Sequence, residues 1–275
     1  MLLALDVGNT NTVLGIFRGD KLVAHWRLTT ARDQTADEYG ILSRNLLTLA
    51  GLKPAEVHGV IISSVVPPLN GTLAQLAERY FGTKALFVEP GIKTGMPILY
   101  DNPQEVGADR IVNSVAAFER YGGPCIAVDF GTAINFDAIS ARGEYLGGVL
   151  APGIGISADA LFSRAARLSR VEIRDPGKII GTNTVTSLQA GLYYGYIDLV
   201  DGILDRLEKL LGPSKVVLTG GQASLIGRGL RHEAVINEFL TLEGLRILWE
   251  RNQVHIRDAA PAEKSAATSG KLPRR

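Results

Sequence analysis

Asp6, Gly8, Asn9, Thr10, Asn11 and Thr12 fall at the end of an apolar run, in LALDVGNTNT at residues 3–12. A glycine followed by short hydroxyl and amide side chains offers relaxed backbone N–H groups, the chemistry of an anion-binding nest. A carboxylate repels phosphate, so Asp6 has a reason to be there only if a cation lies between them, held directly or through water. Asp129 and Gly131 repeat Asp6 and Gly8 at a constant offset of 123, with Thr132 following. Either copy alone could be an Asx-type turn with no ligand. The pair makes a two-sided polyphosphate site the better reading.

A third constellation is YDNPQEVGADRIVN, residues 100–113. Turn chemistry runs to Glu105, and Gly107 and Ala108 lead into a helix predicted to reach about Arg120, with Asp109 and Arg110 in its first turn. An acidic residue suits a helix N-terminus and a basic one does not. Arg110 is therefore read as facing an anionic partner, against the alternative of a surface salt bridge.

The elements that must hold these residues form a repeat. The segments from Leu3 and from Ile126 each read as an apolar strand ending in Asp-x-Gly, then a second and a third strand joined by turns. Elsewhere the pattern alternates. Thr35 and Glu38 have capping-box spacing before a helix predicted to place Leu42, Leu46 and Leu49 on one face, with Gly51 as a stop. Residues 58–64 predict a strand, Pro67-Pro68 a helix start, KALFVE and KVVLTGG two more strands, and residues 184–211 a long helix. Its Gly191 and Gly195 allow close approach of another backbone, either inside the chain or at a subunit interface. The fold class is α/β, in two domains facing one another.

Other phosphate signatures do not compete. No G-x-x-x-x-G-K-[ST] loop occurs. GIGISA at 153–158 has the form of a dinucleotide fingerprint, but it lacks a βαβ context, and a turn into a helix from about Ser157 is preferred. The four histidines lack metal-ligand spacing.

The chain has 275 residues, 46% apolar and 21% charged, which suits globular domains rather than disorder. Its net charge of +1 is uneven: residues 256–275 hold five Lys/Arg and two Asp/Glu, which leaves the first 255 at −2 by difference. The body is not a basic nucleic-acid surface, and the last 20 residues read as a flexible tail. The single cysteine, Cys125, lies in an apolar run and reads as a core residue. The opening strand pattern predicts no signal peptide, no window suits a membrane span, and a cytoplasmic location is expected.

DVGNTNT at 6–12, GADR at 107–110, DFGTAINFD at 129–137, GGVLAPG at 147–153, GTNTVTSLQAG at 181–191 and TGG at 219–221 come in one order along the chain. Together they resemble the type III pantothenate kinases, a family of the actin-like, sugar-kinase and heat-shock-protein ATPase superfamily. The resemblance implies a duplicated actin-like (ribonuclease H-like) ATPase fold, with domains at 1–115 and 116–255 around a nucleotide cleft and a tail at 256–275. By it, Asp6, Val7, Gly8, Asn9, Thr10, Asn11, Thr12, Val13 and Thr132 bind ATP. Tyr100, Gly107, Ala108, Asp109, Arg110 and Thr184 bind pantothenate, Thr184 from a neighbouring subunit of a homodimer. Asp109 is the proton acceptor, Asp129 holds a monovalent cation (potassium or ammonium), and Asp6 holds Mg²⁺ through water. No nucleic acid or membrane is implied as partner. Asn135 stands where the family usually has Thr. A sugar or acetate kinase of the same superfamily and a non-enzymatic regulator on the same fold are the rival readings.

Overall fold

The computed structural model describes residues 1–164 and 170–258. The first sheet is built from β1 (Leu2–Val7), β2 (Asn11–Arg18), β3 (Lys21–Thr29), β4 (Gly59–Ser64) and β5 (Ala85–Phe87), in the order β3-β2-β1-β4-β5. Helices α1 (Ala36–Leu49) and α2 (Asn70–Phe81) interrupt it, and α3 (Ala108–Tyr121) follows. The second sheet contains β6 (Cys125–Phe130), β7 (Ala133–Ile139), β8 (Tyr145–Pro152), β9 (Lys215–Gly220) and β10 (Ala234–Ile236), in the order β10-β9-β6-β7-β8. Its helices are α4 (Ile154–Arg164), α5 (Thr184–Leu211) and α6 (Ala223–Gly227), and α7 (Leu240–Asp258) closes the described chain. Read from opposite edges, the two sheets have one topology. In each, the central strand pairs antiparallel with the next strand in sequence and parallel with a later one.

The period-2 alternation of the central strands aims the chemistry. Leu3, Leu5 and Val7 of β1 enter an outer core with Tyr39 and Leu47 of α1 and Leu73 and Leu76 of α2. Leu2 and Ala4 face the other way, and Asp6 follows them in the alternation. Likewise Ile126, Val128 and Phe130 of β6 pack outward with α5, while Cys125 and Ala127, followed by Asp129, face inward. Both aspartates therefore point to the side on which the sheets face each other. That inner core runs from Phe17 and Ile61 of the first sheet, through Val112 and Val115 of α3 and Leu245 and Leu248 of α7, to Val217 of the second. Helix α7 thus returns from beyond the second sheet to pack on α3 and on β1 and β4. A Cβ at Gly244 would lie 2.3 Å from the Val112 carbonyl oxygen, so the crossing with α3 needs glycine.

Two sequence expectations change in detail. The buried face of α1 is Tyr39, Ser43 and Leu47, an i, i+4, i+8 row, while Leu49 is 84% exposed. Helix α4 starts at Ile154, ahead of the expected Ser157, because the Ser157 N–H already donates to the Gly153 carbonyl at 3.1 Å. It follows a strand antiparallel to its neighbour, so GIGISA lies outside any βαβ unit. Thr35 and Glu38 do form the predicted capping box. Cys125 is buried in the inner core, its thiol pushed up to about 12 by burial. Of the predicted tail, residues 256–258 end α7 and 259–275 lie outside the described residues. Among the described residues no helix is long and apolar enough to cross a membrane.

Candidate active site

Both Asp-x-Gly turns stand at the carboxyl ends of central strands, the edge at which open α/β sheets bind ligands. In the first, the Gly8 N–H donates to the Asn11 carbonyl at 2.9 Å, and the Thr30 hydroxyl donates to the Gly8 carbonyl at 2.7 Å. Thr12 is buried and shares a 2.9 Å hydrogen bond with the Thr30 hydroxyl, so it braces the turn. In the second, the Gly131 N–H donates to the Ala133 carbonyl at 3.0 Å. The tips of the two turns meet, with the Thr10 and Thr132 hydroxyls sharing a hydrogen bond at 3.2 Å. Behind them opens a cleft of about 870 Å³, large enough for a nucleotide and a small acceptor.

Asp6, Gly8, Asn9, Thr10, Asn11, Val13, Asp109, Arg110, Asp129 and Thr132 all line this cleft, so it gathers residues from three separate sequence motifs. Val7 is buried in the outer core, and Gly107 and Ala108 form the start of α3 beneath Asp109. Tyr100 packs beside Tyr145, ring centres 6.3 Å apart, next to Arg110 rather than on the cleft wall. Thr184 is elsewhere: exposed at the start of α5, it lines a separate shallow hollow of residues 181–188.

The floor of the cleft is strongly acidic. Burial, then the charges of Asp109 and Asp129, push the Asp6 carboxyl up to about 8. Burial and the charges of Asp109 and Asp137 push Asp129 up to about 7. Asp109 is also raised by burial, with the Arg110 backbone N–H and guanidinium pulling the other way. Each of these three carboxyls resists ionising and holds its proton more tightly than a free carboxyl does. Asp129 is held from two sides. Asn113, one turn beyond Asp109 on α3, donates its amide N–H to Asp129 Oδ2 at 3.1 Å, and Thr241 of α7 donates to Asn113 Oδ1 at 2.7 Å. Gly220 has φ +88°, and a Cβ there would come 2.5 Å from Asp129 Oδ1.

Arg110 differs from the alternative that sequence reading weighed. It is in a salt bridge, but a buried one: its Nε donates to Asp137 Oδ1 at 2.8 Å, and its side chain is only 8% exposed. Burial raises Asp137 to about 7, with Arg110 and the Tyr145 hydroxyl drawing it back. Asn113, Asp137, Tyr145 and the cleft-lining Arg27 carried no functional reading in the sequence. The i, i+4 spacing of Asp109 and Asn113 was a usable signal for the first. The others depend on pairings between distant strands and helices.

Comparison with known proteins bears on this geometry. The model of the family described as type III pantothenate kinase matches residues 2–206. The chain belongs to the type III pantothenate kinase family. It is 62% identical to the type III pantothenate kinase of Koribacter versatilis (strain Ellin345), over 94% of this chain and 98% of that one. It is 59% identical to that of Solibacter usitatus (strain Ellin6076), over 92% of this chain and 97% of the relative. Among solved structures, a conserved putative Baf family transcriptional activator from Campylobacter jejuni superposes with TM-score 0.59 at 20% identity, covering 92% and 99% of the two chains. The activator of 2-hydroxyisocaproyl-CoA dehydratase from Clostridium difficile, solved with bound ADPNP, gives TM-score 0.52 at 12% identity over 94% and 98%. These two likenesses are of fold. They agree with a duplicated actin-like architecture for this pantothenate kinase family member.

Proposed function

We infer that this kinase transfers the γ-phosphoryl group of ATP to the primary hydroxyl of pantothenate, giving 4′-phosphopantothenate, the first step of coenzyme A biosynthesis. The meeting of the two glycine turns over a cleft that also contains Asp109 carries the reading.

Phosphoryl transfer asks the protein for alignment and charge cancellation. The β1–β2 and β6–β7 turns present backbone N–H groups and the Thr10 and Thr132 hydroxyls to the polyphosphate. Among the described residues no three acidic, histidine or cysteine side chains form a self-sufficient metal site. That donor set fits Mg²⁺ held near Asp6 by water and phosphate oxygens, and a monovalent ion beside Asp129. When bound, these ions neutralise charge on the phosphate oxygens. Asp109 orients the acceptor hydroxyl and takes its proton, and a carboxyl raised by burial is better suited to that than an ordinary one. Arg110 receives the carboxylate of pantothenate as a planar fork.

A homodimer completes the pocket in this reading, with Thr184 supplied by the second subunit. Its exposed position outside this chain's cleft supports that, as do exposed Ile179, Ile180 and Val185 nearby. Among the described residues a Cβ at Gly191 or Gly195 meets nothing within 4 Å, so no packing there uses their smallness. Cytoplasmic residence belongs to the same reading. An ATP-consumption assay with pantothenate against a panel of sugars, run in potassium and then in sodium, tests it. Potassium-dependent turnover of pantothenate alone is expected; turnover of a hexose alone overturns it.

A further inference from the structure

Arg110 is held by more than one group behind the cleft wall. Asp137 lies on β7 and Tyr145 begins β8, both facing the inner side on which α3 packs. Arg110 Nε donates to Asp137 Oδ1 at 2.8 Å, and the Tyr145 hydroxyl donates to the same oxygen at 2.9 Å. The guanidinium carbon stands 5.8 Å from the centre of the Tyr145 ring. Opposite Asp137 in the β7–β8 register is Gly148, where a Cβ would lie 2.8 Å from Arg110 Nη2. A side chain at 148 therefore could not coexist with this rotamer.

Arg110 lines the cleft, whereas Asp137 and Tyr145 do not. Asp137 is 1% exposed, and among the described residues its Oδ2 has no hydrogen-bond partner. A buried carboxylate left half satisfied gains little over an apolar residue of similar size. Its use is geometric. A guanidinium gripped through Nε and backed by a ring cannot turn, and its terminal N–H groups keep one direction.

We propose that Asp137, braced by Tyr145, is a positioning residue that fixes the Arg110 fork toward the carboxylate end of the acceptor, and so makes the kinase prefer anionic over neutral acceptors. This rests on the reading that Arg110 binds the substrate carboxylate. Its role is to set Arg110, not to touch the reacting atoms.

The test compares pantothenate with its primary-alcohol analogue, in which CH₂OH replaces the carboxylate, as acceptors for the full-length enzyme and for Arg110→Gln, Asp137→Asn and Tyr145→Phe. Hydrogen bonds to charged groups imply that Asp137→Asn raises KM for pantothenate by roughly 10- to 100-fold. KM for the alcohol, KM for ATP and kcat should each move by less than about threefold. Tyr145→Phe, which keeps the ring, should shift KM for pantothenate in the same direction by about threefold. Equal losses for both acceptors, or no change, overturn the proposal. If Asp137→Asn does not fold, as judged by its melting curve, Tyr145→Phe decides by the same selectivity. Arg110→Gln separates the two layers of inference. If it spares the acid-over-alcohol preference, the carboxylate reading and this proposal both fall; if it abolishes the preference while Asp137→Asn and Tyr145→Phe leave it intact, only this proposal falls.

Discussion

Asp109 combines a raised carboxyl with a place in the first turn of α3, where its Oδ1 accepts the Arg110 backbone N–H at 2.9 Å. Changing it to Asn keeps the shape and removes the base. Turnover is predicted to fall at least about a hundredfold with nucleotide binding nearly intact; unchanged turnover in a steady-state assay removes it from that role. Gly220→Ala is predicted to act through Asp129 instead. A Cβ there meets Asp129 Oδ1 at 2.5 Å on a φ of +88°. Titrating activity with potassium should show a weakened requirement for, or response to, the ion beside that carboxylate, and an unaltered titration curve counts against the assignment. The residues that repeat along the chain, Asp6 with Asp129 and Gly8 with Gly131, were legible because a motif announces them twice. Asp137 was not, since its meaning depends on a contact with Arg110, 27 residues away on another element.

At the scale of elements, α1 and α5 begin with the same device and serve different ends. Thr35 accepts the Glu38 N–H and Asn183 accepts the Thr186 N–H, each within a capping box. Alanine at either cap should cost about 1 kcal/mol in urea unfolding. Only Asn183→Ala is predicted to raise KM for pantothenate, because Thr184 follows it directly; equal kinetic effects from both variants count against a substrate role for the start of α5. A capping box and a glycine stop made α1 readable in advance, and the Gly107-Ala108 lead-in announced α3. On α1 the leucines that mark one face in the pattern are only partly covered or, at Leu49, exposed, and the row of Tyr39, Ser43 and Leu47 lies deeper. Helix α7 offered neither a motif nor a repeat, and its importance comes wholly from where it packs.

For the whole molecule, the acidic cleft links stability to pH. The Asp6 and Asp129 carboxyls stand at about 8 and about 7, above the ordinary value in an unfolded chain. A folded state that binds protons more tightly loses stability as pH rises from that ordinary value through the raised ones. The ligand-free enzyme should therefore melt at lower temperature near pH 8 than near pH 5, about the span of those raised and ordinary values. Magnesium, potassium and a non-hydrolysable ATP analogue should flatten the difference, and a melting temperature indifferent to them counts against cation binding there. Asp201 works in the opposite sense. Burial would raise it, but His232 and the backbone N–H groups of Arg231 and His232 outweigh burial and hold it low. Its contribution is present above the unfolded carboxylate value and is lost as pH falls through its depressed one. The paired sheets were foreseeable from the repeat, but the core between them was not. Because α7 completes that core, part of the cover of the inner face of the first sheet comes from a helix that follows every strand of the second. On a ribosome, that face stays only partly covered by α3 until the strands of the second sheet have been made, which makes the nascent first half a natural client for a holding chaperone.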